Sequence, residues 1–181
     1  MPEILIVAAT ETELCGQAGL VCGVGPVEAA AMTAAALVGA RPAAILHIGI
    51  AGARRDSGIA LGEVVVGSEA RYEDLVTTRR LSPDVVHTDP RLVAAVSEAL
   101  DAEPVVIGTT ARVAGGSCPV EAMEGFAVLR AAELAGVPAV EVRVISNHVE
   151  DERASWRIDD ALGALAEALP RLTSTIAQAV S

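Results

Sequence analysis

The apolar positions of the chain fall into short β-branched runs separated by longer Ala-rich stretches. Ile4–Ala8, Gly19–Cys22, Ala43–Ile48, Glu63–Ser68, Pro104–Thr109 and Val137–Ile145 are runs of strand length rich in Val, Ile and Leu, the composition of strands buried on both faces. The stretches between them carry helix punctuation. Pro26–Val38 and Pro90–Leu100 both open on Pro, whose fixed φ suits the first helical position. Val120–Ala135 is closed by Gly136 and Pro138. Ser155–Ala179 reads as one long helix, or as two if Pro170 breaks it. This alternation predicts an α/β fold in which helices cover both faces of one sheet. With no repeat and no internal linker, residues 1–181 read as a single domain. Arg71–Pro90, polar and turn-rich, reads as a long functional loop.

Composition narrows the chemistry. The net charge is −11, which opposes nucleic-acid binding, since that needs a basic surface to displace counterions. All 13 residues counted as Lys or Arg are Arg, so a pyridoxal-phosphate Schiff base, a lysine aldolase and a P-loop lysine are excluded. Cys15, Cys22 and Cys118 form no C-x-x-C pair, and neither a disulfide framework nor a zinc site is indicated. No apolar run approaches the ~20 residues of a membrane helix, and the N-terminal MPEILIVAAT has the pattern of a strand, not of a signal peptide. A cytoplasmic protein that does not bind membranes is expected.

Several short motifs could carry a site. GVGPVEAA at Gly23–Ala30 has two glycines of a dinucleotide fingerprint, but Glu28 stands in place of the third. The next strand also ends at His47-Ile48-Gly49 without an acid, so a tight strand-to-helix turn is preferred to NAD binding. ATETEL at Ala9–Leu14 places Glu11 and Glu13 at the carboxyl end of the first strand, where an open α/β sheet binds ligands. Thr10 and Glu13 also spell a capping box, which leaves a purely structural reading open. Met123-Glu124-Gly125 sets an acid among apolar neighbours, Phe126 and Ala127 included, in the first turns of the Val120–Ala135 helix. Ser146-Asn147 follows the last strand directly, and a strand-end turn is its plain alternative. GIAGA at Gly49–Ala53 reads as a small-residue turn, and His47 as a satisfied core histidine.

Taken together, the ME-G and R-x-IS-N spacings between Val120 and Asn147 resemble the nucleoside phosphorylase/nucleosidase superfamily, whose members cleave the bond between a purine and ribose. The resemblance implies a three-layer αβα phosphorylase/hydrolase-like fold with a central mixed β-sheet, a small-molecule nucleoside as substrate, and no metal or organic cofactor. It gives Glu13 the activation of water. Glu124 with Met123 would hold the ribose hydroxyls, and Arg143 would support Glu124. Ile50 stands where phosphorylases carry a phosphate-binding hydroxyl, which favours water as nucleophile. Asn147, helped by Ser146, replaces the aspartate of adenine-specific members; its amide can donate to O6 and accept from a protonated N7, which suits a 6-oxopurine. GIAGA, MEGFA, ISN and SWRIDDAL together are most similar to the futalosine hydrolase branch, which releases hypoxanthine on a route to menaquinone. Arg112–Pro119 offers no ring, so base stacking falls to Phe126, Trp156 or a partner subunit. A homodimer or higher homo-oligomer is implied, with Arg71–Pro90 near the interface.

Overall fold

A computed structural model describes residues 3–76 and 82–181. The strands are β1 (Ile4–Ala8), β2 (Leu20–Val21), β3 (Ala44–Ala53), β4 (Val64–Tyr72), β5 (Val85–His87), β6 (Pro104–Thr109), β7 (Val120–Ala122) and β8 (Ala139–His148). The helices are α1 (Pro26–Gly39), α2 (Pro90–Leu100), α3 (Gly125–Ala135) and α4 (Ile158–Ala179). These strands form one mixed sheet. β3 runs parallel to β1 and β8, β4 runs parallel to β6 and antiparallel to β8, and β7 runs parallel to β6 and antiparallel to β3. The pairings therefore close a ring, β3–β8–β4–β6–β7 and back to β3, and the sheet curls on itself at one end.

Helices cover both outer faces, as expected. α2 packs with α4 on one face, over Ile6, Leu46, Ile48 and Val142, and α1 packs with α3 on the other, over Val7, Ile45 and Ala139. α4 buries Ala161, Leu165, Leu169, Leu172 and Ile176, a spacing of three to four residues that keeps one stripe on the core. It runs through Pro170 as a single helix. The inside of the ring has its own small core, with Ala51, Ala53, Val65, Ile107, Val120 and Ile145.

Three expected boundaries are displaced in ways that matter for the site. Val120–Ala122 is a strand, not the start of a helix, because it pairs with both β6 and β3; α3 begins at Gly125. GIAGA is not a turn: β3 continues through it to Ala53, paired with β8. β8 likewise runs on through Ser146-Asn147 to His148. Arg71–Pro90 is not one long loop either. Arg71 and Tyr72 end β4, and Val85–His87 pairs back on it antiparallel, while residues 77–81 lie outside the described residues. Among the described residues, no helix is long and apolar enough to cross a membrane.

Candidate active site

The carboxyl ends of β1, β3 and β8 and the start of α3 surround a cavity of about 200 Å³. Glu13, Ile50, Met123, Glu124, Ser146 and Asn147 all line it. Residues from four distant stretches of the chain thus meet in one place. Arg143 lies behind the wall, fully buried.

Glu13 sits in a turn after β1, not in a helix. The Thr10 hydroxyl donates to Glu13 Oε2 at 2.9 Å and accepts the Glu13 N–H at 3.3 Å, so the two residues of the expected capping box meet, but they close a turn without a helix and the carboxylate takes the hydroxyl in place of the Thr10 N–H. Glu13 Oε1 accepts the backbone N–H of Ile50 at 3.1 Å. Ile50 thus contributes its amide, and the carboxylate is held at both oxygens with its remaining lone pairs toward the cavity.

Glu124 caps the start of α3 and turns its carboxylate inward. Its Oε1 accepts the Gly25 N–H at 3.0 Å, and its Oε2 lies 3.6 Å from Arg143 Nη2. Gly25 has φ 90 and Gly23 φ 81, left-handed values that favour glycine. The glycine turn before α1 therefore delivers a backbone N–H to a buried acid. Burial pushes the Glu124 carboxyl above its ordinary value, against the opposing pull of Arg143 and the Gly25 N–H. A carboxylate in that position is a strong acceptor for hydroxyl groups.

Arg143 organises this acid. Its Nε donates to Glu141 Oε1 at 2.9 Å, and its Nη2 donates to His47 Nε2. Since a guanidinium only donates, His47 Nε2 must be an acceptor, and Nδ1 carries the proton toward Val7 O at 3.1 Å. His47 is thus neutral in one fixed tautomer, and burial and Arg143 hold its pKa well below the ordinary histidine value. Burial also raises the Glu141 carboxyl. His47, read from the sequence as a satisfied core histidine, is buried with both ring nitrogens bonded, while Glu141 is a partner of Arg143 that the motif reading did not single out. A signal for them exists: Glu141 and Arg143 alternate on one face of a wholly buried strand, and His47 is Glu141's register partner on β3.

Two motif glycines make room for this cluster. A Cβ on Gly125 would lie 2.5 Å from Glu141 Oε1. One on Gly49 would collide with Arg143 Nη1 and lie 2.6 Å from Glu13 Oε1.

On the far wall, β8 carries a bulge against β3: Ala51 pairs with Ile145 and Gly52 with Asn147, which leaves Ser146 as the extra residue. A bulge breaks the alternation of faces. Ile145 enters the core of the ring, and both Ser146 and Asn147 face the cavity. Asn147 Oδ1 accepts from Ser146 Oγ at 2.9 Å, and Nδ2 donates to His148 O at 2.9 Å. A carbonyl only accepts, so the amide is fixed with one N–H of Nδ2 spare.

Of the rings to which base stacking was left, Trp156 lines the cavity, with Arg153 4.9 Å above its face. Phe126 does not line it; that ring stacks on Tyr72 at 5.3 Å, and its N–H donates to Thr109 Oγ1. Glu121, also on the cavity wall and 7% exposed, is a further acid that the motifs did not reveal. Among the described residues no three His, Cys, Asp or Glu side chains group as a metal-ion site.

A cleft whose acids are held by backbone amides and by one buried arginine, at the carboxyl ends of parallel strands, is a small-molecule site of an α/β enzyme. A model of the phosphorylase superfamily matches residues 17–118. The chain belongs to this superfamily. It is 38% identical over 185 residues to futalosine hydrolase of Streptomyces coelicolor, covering 87% of this chain and 78% of that one. Among solved structures, S-adenosylhomocysteine nucleosidase of Streptococcus pyogenes, in complex with 5-methylthiotubericidin, superposes with a TM-score of 0.85 at 24% identity, over 97% of each chain. Futalosine hydrolase of Helicobacter pylori does so with a TM-score of 0.83 at 16% identity, over 96% of this chain and 97% of that one. At these identities the structural likeness is one of fold, and it agrees with the expected α/β architecture and mixed sheet.

Gly49→Ala tests the packing of the ionic cluster. The added methyl must displace Arg143 or Glu13, so activity should fall by roughly 100-fold or more while the protein still folds, since a displacement on the order of 1 Å in a catalytic group can cost that much. Steady-state rates beside circular dichroism would check it; near wild-type turnover would show that the cluster tolerates the shift.

Proposed function

We propose that the protein is a purine nucleosidase that hydrolyses the N-glycosidic bond of futalosine and releases hypoxanthine, on the futalosine route to menaquinone. The observation that carries this reading is the fixed amide of Asn147, in one cavity with Glu13 and Glu124. The futalosine hydrolase from Streptomyces supports the choice of substrate.

The roles follow from the donors and acceptors. Cleavage leaves positive charge on the ribosyl group, and water must lose a proton as it captures that group. Glu13, anchored at both oxygens, takes this proton. Glu124 accepts from the ribose hydroxyls, and those bonds tighten as the sugar becomes cationic, which favours the transition state over bound substrate. Arg143, Glu141 and His47 keep the acid in place. The spare N–H of Asn147 meets O6 as the base departs, while Oδ1 accepts from N7 once it is protonated. Ile50 presents an apolar side chain and has committed its N–H to Glu13, so water is the nucleophile. Trp156 offers the departing base an aromatic surface.

Base release should therefore be independent of phosphate and should leave a free sugar hydroxyl at C1′. Accumulation of a sugar 1-phosphate would assign the protein to the phosphorylases instead. Glu13→Gln should retain nucleoside binding, since Thr10 can turn its hydroxyl to accept from the new amide, while kcat falls by roughly 100-fold or more. Unchanged turnover would remove Glu13 from the mechanism.

Asn147→Asp addresses the base. The carboxyl it introduces faces the His148 carbonyl and can hydrogen-bond there only as the acid, so it lacks the spare donor to O6. Activity on 6-oxopurine nucleosides should fall by a factor corresponding to about 1–3 kcal/mol, with relative gain on 6-aminopurine ones. Chromatography of the hypoxanthine and adenine released from matched substrates gives the ratio, and a constant ratio would mean that Asn147 does not read the base.

A homo-oligomer is also part of this proposal. α1 is apolar around much of its circumference, with Val27, Met32 and Val38 exposed at 77%, 42% and 90%, and such a surface suits a subunit contact. Sedimentation velocity should show at least a dimer; a monomer at micromolar concentration would refute this.

A further inference from the structure

Arg153 has no part in the mechanism above, yet it lines the same cavity. The other charged groups on that wall are all acids, Glu13, Glu121 and Glu124. The chain as a whole carries a net charge of −11, so the field around the cavity opposes an anion. Among the described residues, Arg153 is the one group on the wall whose charge attracts a negative one.

Its position is built from the end of the last strand. β8 ends at His148, whose N–H donates to Asp151 Oδ2 at 3.1 Å, and Arg55 pairs with the other oxygen of Asp151. Asp151 O in turn accepts from Trp156 Nε1 at 3.3 Å, which fixes the indole on the cavity wall. Arg153 Cζ lies over that ring, 4.9 Å from its centre. A guanidinium over an aromatic face keeps its N–H edge available for hydrogen bonds in its own plane. No acid of the protein takes that edge. Glu150 and Asp151 pair with Arg54 and Arg55, and Arg143 and Arg157 have carboxylates of their own, whereas Arg153 forms no ion pair among the described residues.

We infer that Arg153 is a specificity residue for the 5′ end of the substrate: it binds a carboxylate carried on a chain at C5′ of the nucleoside. The inference rests on the purine nucleosidase reading and adds to it the group beyond the sugar. In that reading C1′ reacts, the 2′- and 3′-hydroxyls bond Glu124, and the base faces Asn147. C5′ is the sugar carbon left to carry a further substituent. Arg153 is exposed where Glu124 and Asn147 are buried, so it meets the end of the ligand nearest to solvent. One guanidinium matches one carboxylate, to which it presents two parallel N–H groups. A phosphate at C5′ carries roughly two charges and sets them against three wall acids with a single basic partner, so the carboxylate is the better match.

The test compares kcat/KM for hypoxanthine release by the intact protein from three substrates: inosine with a carboxyethylthio group at C5′, the methyl ester of that acid, and inosine 5′-phosphate. The wild type should prefer the acid to the ester by roughly tenfold, the scale of a charge-assisted hydrogen bond at a partly exposed site, and should prefer it to the phosphate. The preference should shrink in about 1 M NaCl, where the screening length is about 3 Å. Arg153→Met keeps an apolar chain to pack on Trp156 and removes the charge, so the preference for acid over ester should be lost. Equal wild-type kcat/KM for acid and ester would overturn the assignment and leave the nucleosidase reading standing. So would an unchanged ratio in Arg153→Met with wild-type thermal melting, or a wild-type preference for the phosphate. Should the variant fail to fold, the wild-type series alone decides. If none of the three releases hypoxanthine, the nucleosidase reading itself falls, and this role of Arg153 with it.

Discussion

A single guanidinium sits where the rest of the site is anchored. Arg143 has no exposure to solvent, and it is within ion-pair reach of Glu141 and Glu124 and hydrogen-bonded to His47. A charge so deep is tolerated only when it is paired, and removing one partner of such a pair costs about 3–5 kcal/mol. The surrounding sequence is constrained accordingly. Gly49 and Gly125 must be glycine because the ionic groups occupy the space of their side chains. His47 must be neutral because its Nε2 accepts a hydrogen bond from Arg143 while its Nδ1–H donates one to Val7 O. Burial raises the Glu124 carboxyl, and the Gly25 N–H and Arg143 fix its position.

The curled sheet supplies the second requirement, a wall of side chains that a flat alternating strand could not give. The bulge at Ser146 turns two consecutive polar residues toward one cavity. The short strand β7 closes the ring and brings Glu121 to the cavity wall. Beyond β4, Glu73 accepts the N–H of Ser117 at 2.6 Å and its hydroxyl at 2.8 Å, and Asp74 accepts the N–H of Ala111. These bonds tie both ends of the aromatic-free segment to the sheet beside the cavity.

The motifs pointed to residues that line the cavity because each depends on local chemistry: an acid after the first strand, an acid in the first turns of a helix, a polar pair after a buried strand. The boundaries that misled were those set by pairing. Val120–Ala122 has the composition of a helix entry and becomes a strand through hydrogen bonds to β6 and β3. GIAGA has the small residues of a turn, yet β8 holds it extended. Phe126, one of the expected sources of base stacking, stacks instead on Tyr72, 54 positions away in the numbering.

The sequence by itself determined most of the strands and all four long helices in their order, the alternation that makes the fold α/β, the absence of lysine chemistry, and which acids and amides are available to a site. Those properties reside in single residues and in short-range periodicity. Only the tertiary structure decided which groups share a cavity, that Asn147 keeps a donor free, that His47 and Glu141 bond to Arg143, and that Glu121 on the cavity wall pairs with Arg54. Each of these depends on strand register and on a bulge, and a shift of one residue in register would turn the same side chains to the other face of the sheet.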